Sequence, residues 1–380
     1  MFLAKNLGVA NFGLYSVAFS YYSLIATVAD FGITRFLIRE IAIDKSLLPA
    51  LFRHAIVLRL ASSFTLFIIF GVGLFLVDPN QLRVTLILLA VLAILPQTIT
   101  LTIDNIFVAL QKLSLSSIGL MVLSLSTTIS GIVFLNKFSI YGAVAAILFG
   151  QLIYLLSLTL LALYQGVDFF GKLTSDLTKD IIKGSIPYGI LGILGLLYFK
   201  VDTIILNYLK GSFDTGIYSA AYRFLEAVIY IPGAISIALF PVFAKLSATN
   251  PDKVYKLYSK ALIILLFVSL VILISFVVIL PWLINWLIPQ YAPSISVLRI
   301  LALSIPFFFM NSPQSVLLLS HRRFINKLLI ISIIILSLNI ILNLLFIPKF
   351  SYIAAAWVTL VTEILVFVIF FILIRRNYKN

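Results

Sequence analysis

The chain alternates long apolar runs with short polar connections, and this alternation predicts helices that cross a membrane. Eleven runs stand out, at about 12–34, 54–77, 82–110, 113–135, 138–164, 184–209, 213–243, 261–288, 292–320, 327–347 and 351–374. Each reaches about 20 residues, the length of helix needed to cross ~30 Å of hydrocarbon. Pro96, Pro187, Pro232, Pro306 and Pro313 lie inside the runs and predict tilt and kinks. In the longest connection, Gln165 to Lys183, Asp176, Lys179, Asp180 and Lys183 alternate with Leu173, Leu177, Ile181 and Ile182. That pattern predicts a short amphipathic surface helix joining two halves.

The halves repeat one another. The stretch GVANFGLYS (Gly8 to Ser16) recurs as GSFDTGIYS (Gly211 to Ser219) at an offset of 203, and NKFS (Asn136 to Ser139) recurs as PKFS (Pro348 to Ser351). Corresponding helices are an even number apart, so both halves point the same way across the membrane, one of the two plans known for transporters. The expected fold is all-α and polytopic: two parallel-repeat lobes, five visible helices plus six, around a central cavity. Residues 1–164 form the N-terminal lobe, 165–183 the cytoplasmic linker and 184–380 the C-terminal lobe. A full helix, Gly184 to Leu209, precedes the second copy of the opening motif, and only seven residues precede the first. The repeat therefore leads us to expect a further helix before Gly8 and a chain that starts late.

Composition agrees with the membrane reading, at 62% hydrophobic and 11% charged residues. The net charge of +14 does not point to nucleic acid, because the basic residues sit between apolar runs and no basic arm is present. Instead it sets orientation. The connections after alternate runs, with the C-terminal tail, hold 18 Lys and Arg, against 5 on the other side. The basic side faces the cytoplasm, which predicts a cytoplasmic C-terminus.

Polar residues inside the runs are the candidates for function, since a lipid-facing charge at mid-bilayer costs about 2.5–3.5 kcal/mol. Ser16, Ser20, Ser23, Thr27 and Asp30 share one helical face. Shifted by the repeat, Ser20 and Ser23 become Arg223 and Glu226. The serines fit either helix packing or a cavity lining, and Arg223 with Glu226 predicts an aqueous cavity. Arg59 and Lys200 fit either that cavity or snorkelling to the interface. Asp104 and Glu363 lie too deep to snorkel, so each is either a satisfied interhelical bond or a proton- or sodium-linked carboxylate. Gly189, Gly192 and Gly195 fit close helix packing or a hinge. No catalytic, cofactor or metal signature is present, and His54 and His321 stand at helix ends without ligand company, so neither an enzyme nor a metal site is expected.

The stretches GVANFGLYSVAFSYYSLIATVADFGITRFLIREIA, VDTIIL, KFSIYGAVAA and GSFDTGIYSAAYRFLEAVIYIPGAISIALFPVFAKLS resemble those of bacterial polysaccharide-biosynthesis flippases of the Wzx type. These belong to the multidrug/oligosaccharidyl-lipid/polysaccharide exporter (MOP) superfamily. The resemblance implies alternating-access transport of a lipid-linked oligosaccharide on undecaprenyl pyrophosphate, across the bacterial cytoplasmic membrane, for O-antigen or exopolysaccharide assembly. It implies membrane lipids as surroundings and a polysaccharide polymerase and glycosyltransferases as partners. On this reading Arg223, Glu226, Ser20, Ser23, Arg59 and Lys200 line the substrate cavity, and Asp104, Asp202 and Glu363 couple transport to an ion. Two other readings stay open: a cation-coupled multidrug exporter of the same superfamily, and a non-transporting scaffold of a polysaccharide-assembly complex.

Overall fold

A computed structural model describes residues 2–167, 173–249, 251–320 and 322–378. Residues 168–172, inside the expected linker, and His321 lie outside the described residues. The described residues form eleven α-helices: α1 (Phe2–Asp30), α2 (Ile33–Ile43), α3 (Leu48–Val77), α4 (Gln81–Leu92), α5 (Ile94–Ala109), α6 (Leu113–Tyr164), α7 (Ser175–Lys210), α8 (Ser212–Thr249), α9 (Pro251–Leu287), α10 (Ser294–Leu319) and α11 (Arg322–Tyr378). No strand occurs among the described residues.

Among the described residues, eight helical segments are long and apolar enough to cross a membrane. Two are double. With 52 and 57 residues, α6 and α11 would each exceed twice the ~30 Å of a bilayer if straight. Each turns at one serine with left-handed φ: Ser139 (φ 52°, ψ −134°) and Ser351 (φ 51°, ψ −136°). These serines end the NKFS and PKFS motifs, so the repeat extends to backbone torsions. The opening motifs behave alike, with Gly8 at φ 76° and Gly211 at φ 84°. Helix α8, which carries Arg223 and Glu226, is not among the eight apolar segments.

Large apolar side chains face outward and polar ones inward, the arrangement a hydrocarbon solvent imposes. Ile69, Phe75, Ile263 and Phe267 are each about two-thirds exposed. The spans of α3 and α9 are only 17% buried, whereas those of α4–α5 and of α10 are 61% buried. The last two contain Pro96 and Pro306 and are, with the span of α1, the most enclosed of the eight.

The chain divides into two compact units, one of residues 14–200 and the other of residues 3–13 with 201–380. This division differs from the boundary expected at 165–183, for two reasons. First, α7 runs unbroken from Ser175 through Pro187 to Lys210. Its early turns are amphipathic, as expected, but they continue into the span: Leu177 and Ile181 pack in the core of the first unit with Leu37, Leu51, Phe107 and Leu158. Second, the first turns of α1 belong with the second unit. There the Tyr291 hydroxyl lies 3.0 Å and 3.2 Å from the carbonyls of Ala4 and Gly8, and Phe12 meets the Tyr291 ring edge-on at 6.0 Å. Phe243, Tyr258, Leu317, Phe324 and Phe370 form a core of this second unit.

Candidate functional site

The first unit holds a cavity of about 440 Å3. One wall is the polar stripe of α1, where Ser23, Thr27 and Asp30 stand beside Phe19 and Tyr22. Thr34 and Arg35 of α2, Gln97 of α5 and Tyr188 of α7 complete it. The hydroxyls of Ser23 and Thr27 donate to the carbonyls four residues back, Phe19 (2.8 Å) and Ser23 (3.0 Å). Their protons are thus satisfied within the helix, and their lone pairs stay open to a ligand. Gln97 Oε1 is buried without a hydrogen-bond partner.

Behind this wall sits a buried ion pair. Arg59 of α3 has no exposed side-chain surface, whereas Asp30 keeps 19% of its own exposed. The guanidinium donates to Asp30, to the Thr34 hydroxyl at 2.7 Å and to the Thr102 hydroxyl at 2.7 Å. Thr34 in turn donates to Asp30 at 2.8 Å, and the Asn105 amide donates to Thr34 at 3.2 Å. Four helices, α1, α2, α3 and α5, are tied by these contacts. The pair cancels its own charge while Asp30 shows part of its carboxylate to the cavity.

The second unit holds a cluster of a different kind. Asp202 of α7 is 3% exposed. The Asn343 amide donates to its Oδ1 at 2.7 Å, and the Thr359 and Tyr218 hydroxyls lie 3.1 Å and 3.2 Å from its Oδ2. Asn343 also donates to Asn339 at 3.0 Å. One turn beyond Thr359, Glu363 accepts from the Asn311 amide at 2.7 Å. Buried Tyr222 lies within electrostatic range of Asp202, Glu226 and Glu363. Among the described residues no Lys or Arg forms an ion pair with Asp202. Neutral hydroxyl and amide dipoles therefore satisfy this carboxyl group inside a membrane-spanning bundle.

Family comparison decides what the architecture belongs to. A family model described as polysaccharide biosynthesis protein matches residues 1–247, more than half of the chain and the whole of the cavity-bearing unit. The chain belongs to the polysaccharide biosynthesis protein family. A second family model, MatE, matches residues 187–345. Among solved structures, this polysaccharide biosynthesis family member is similar to an inward-facing multidrug resistance MATE family transporter of the MOP superfamily, with TM-score 0.78, 17% identity, and coverage of 100% of this chain and 94% of the other. It is also similar to an outward-facing form of such a transporter, with TM-score 0.71, 17% identity, and coverage of 100% and 90%. A third relative, a MOP superfamily transporter from Pyrococcus furiosus described as having a binding pocket of reverse polarity that suggests a different function, gives TM-score 0.67, 16% identity, and coverage of 100% and 91%. No curated protein sequence matches the chain significantly. The chain thus joins membership of the polysaccharide biosynthesis protein family to a fold that it shares with these transporters.

Within this family member the residues singled out from sequence fall into separate places. Ser23 lines the cavity. Ser20 does not: it is buried and donates to the Ser16 carbonyl at 2.8 Å. Nor does Arg59, which was expected at the cavity or at the interface; its partners hold it behind Asp30. Lys200 reaches the cavity edge indirectly, its Nζ 5.6 Å over the Phe19 ring. Arg223 and Glu226 belong to the second unit and are half-buried, with the Arg223 guanidinium 6.0 Å over the Phe12 ring. Asp104 lies in the first unit beside Ser116 and Tyr154, its Oδ1 buried and without a hydrogen bond of good geometry. Asp202 and Glu363 both lie in the second unit, each within electrostatic range of Tyr222. Gly189 packs closely, since a Cβ there would stand 2.7 Å from the Phe31 carbonyl oxygen.

Sequence reasoning missed Asn339, Asn343 and Thr359, although two asparagines four apart in an apolar run were a readable signal. It also missed Thr34, Thr102 and Asn105, whose partners come from other helices.

Proposed function

We propose that this transporter moves a lipid-linked oligosaccharide, on undecaprenyl pyrophosphate, from the cytoplasmic to the outer leaflet of the bacterial cytoplasmic membrane by alternating access. The observation that carries this reading is the polysaccharide biosynthesis match over residues 1–247, which contain the polar cavity. The cavity chemistry supports it. Sugar hydroxyls fit the open lone pairs of Ser23 and Thr27, sugar ring faces fit Phe19, Tyr22 and Tyr188, and Arg35 offers a fork to a phosphate. Lys200, whose Nζ lies over the Phe19 ring of the same unit, is a further cation for the diphosphate. Asp202 with Glu363 in the second unit, and Asp104 separately in the first, carry the coupling ion: the Asp202 carboxyl group, buried among hydroxyl and amide dipoles, suits a proton or a monovalent cation. The lysine and arginine bias supports a cytoplasmic C-terminus.

The second reading, a cation-coupled multidrug exporter, is favoured by the MatE match over residues 187–345, which include Asp202 and Asn343. Purified protein in liposomes separates the two. Flipping of a fluorescent undecaprenyl-pyrophosphate oligosaccharide without efflux of lipophilic cations supports the first reading. Cation efflux without flipping establishes the second. Neither activity, in protein shown to be folded, leaves the scaffold reading.

A further inference from the structure

The two arms of α11 enclose a groove of about 470 Å3 in the second unit, lined by Leu342, Phe346, Phe350, Trp357, Val358 and Val361. Its walls are apolar, and Phe346, Phe350 and Trp357 are each about half exposed. The equivalent hairpin in α6 is packed shut. There Phe134 and Phe149 meet at 5.3 Å, edge to face. A Cβ on Gly142 would stand 2.1 Å from the Phe134 carbonyl oxygen, and one on Gly150 would stand 2.0 Å from the Thr127 hydroxyl. Aligned on the NKFS and PKFS turns, Phe149 becomes Val361, Gly142 becomes Ala354 and Gly150 becomes Thr362. The second copy thus loses the ring that bridges the arms and gains the side chains that hold them apart. The turn that ends the groove carries Lys349, exposed and next to Phe350.

We infer that this groove holds one acyl chain of an anionic phospholipid of the surrounding bilayer, with Lys349 at the lipid phosphate. Both arms are membrane-spanning, so the groove opens onto hydrocarbon, and a void too narrow for protein there is filled by a lipid chain. Lys349 supplies charge selection at the polar end, since its ammonium group attracts the lipid phosphate directly. The inference holds whatever the cargo is.

The test uses the full chain in nanodiscs containing a phospholipid with a photoreactive acyl chain, with either a phosphatidylglycerol or a phosphatidylcholine headgroup. Cross-linked peptides are mapped by mass spectrometry. The phosphatidylglycerol probe should label residues 342–361 well above the exposed face of α9 around Phe267, the control for ordinary lipid contact. Val361→Phe, which restores the ring found at Phe149, should lower groove labelling about tenfold and leave α9 unchanged. Lys349→Gln, an exposed change that does not touch packing, should lower labelling by the anionic probe about fivefold, to the phosphatidylcholine level. Groove labelling no greater than that of α9, or indifference to both substitutions, overturns the inference. So does displacement of the probe by an equal mole fraction of polyprenyl phosphate, which would assign the groove to a carrier lipid instead.

Discussion

Gly13 of α1 and Gly216 of α8 abut through their backbones. A Cβ on Gly13 would stand 1.8 Å from the Ser212 carbonyl oxygen and 2.8 Å from the Gly216 nitrogen; a Cβ on Gly216 would stand 2.0 Å from the Val9 carbonyl oxygen. Residues 212 and 216 lie 203 positions beyond 9 and 13, so the two overlaps are one contact seen from each copy of the repeat. The same steric demand thus falls on both copies of the motif. That is why the chain spells the motif twice with glycine at the same place.

The first prediction follows directly. Gly13→Ala and Gly216→Ala each place a methyl group against backbone, which no rotamer change relieves. Each should lower stability by about 1–3 kcal/mol. Because both act on one contact, the double variant should depart from additivity by 0.5 kcal/mol or more, on the order seen for touching residues. Chemical unfolding in detergent micelles measures the cycle; strict additivity would show that the two glycines do not meet.

Arg59→Met leaves Asp30 without its counter-charge inside the bundle. The expected loss is about 3–5 kcal/mol, the usual result of breaking a buried pair from one side. Arg59→Met combined with Asp30→Asn should recover most of that loss. Thermal unfolding of the three variants decides it, and an equally damaged double variant would mean that Arg59 acts through packing alone.

Asp202→Asn keeps the size and most of the hydrogen bonding of the side chain, so the protein should accumulate and unfold nearly as the parent does. Ion-driven transport in proteoliposomes should nevertheless fall to background. Asn343→Leu should instead cost stability, about 1–3 kcal/mol, because it removes the amide donor to a buried carboxyl group. Full ion dependence in Asp202→Asn would remove this residue from coupling.

Ser139 sits at φ 52°, a backbone region that favours glycine. Ser139→Gly should raise stability by about 1 kcal/mol or more through relief of strain. Ser351→Gly should yield less, because the Ser351 hydroxyl donates to Asp214 and that bond is lost. Melting temperatures of the two variants, compared side by side, test the difference; equal gains would contradict it.

Orientation is tested by reporters. Phosphatase and fluorescent-protein fusions after Asn380 and within Lys253–Lys260 should both report the cytoplasm, as the 18-to-5 bias requires. Phosphatase activity at either site would reverse the topology.

Much of the fold was legible in sequence because hydrocarbon is a simple solvent. An apolar run of fixed length is a span, and the matched motifs at 8–16 and 211–219 and at 136–139 and 348–351 disclosed the repeat before any coordinate. The paired glycines and the serine turns then followed the motif lettering down to their torsions. Side-chain destinations were less legible. The face carrying Ser16 to Asp30 was read as one stripe, yet only Ser23, Thr27 and Asp30 meet the cavity, whereas Ser16 and Ser20 are buried against neighbouring helices.

What the sequence determined by itself was the number of apolar runs, the parallel repeat and the presence of carboxyl groups at depth. These depend on local composition and spacing, which a chain carries without its fold. What only the tertiary structure decided was partnership. Arg59 was a free cation on paper and became the counter-ion of Asp30 because α1 and α3 come together. Asp202, read from sequence beside Lys200, proved to be held by Tyr218, Asn343 and Thr359, from helices 16 to 157 positions away. Helical periodicity fixes which face of its own helix a residue occupies; it carries no information about which other helix that face will meet. Partnership, and with it charge state and access, arises only when the helices pack.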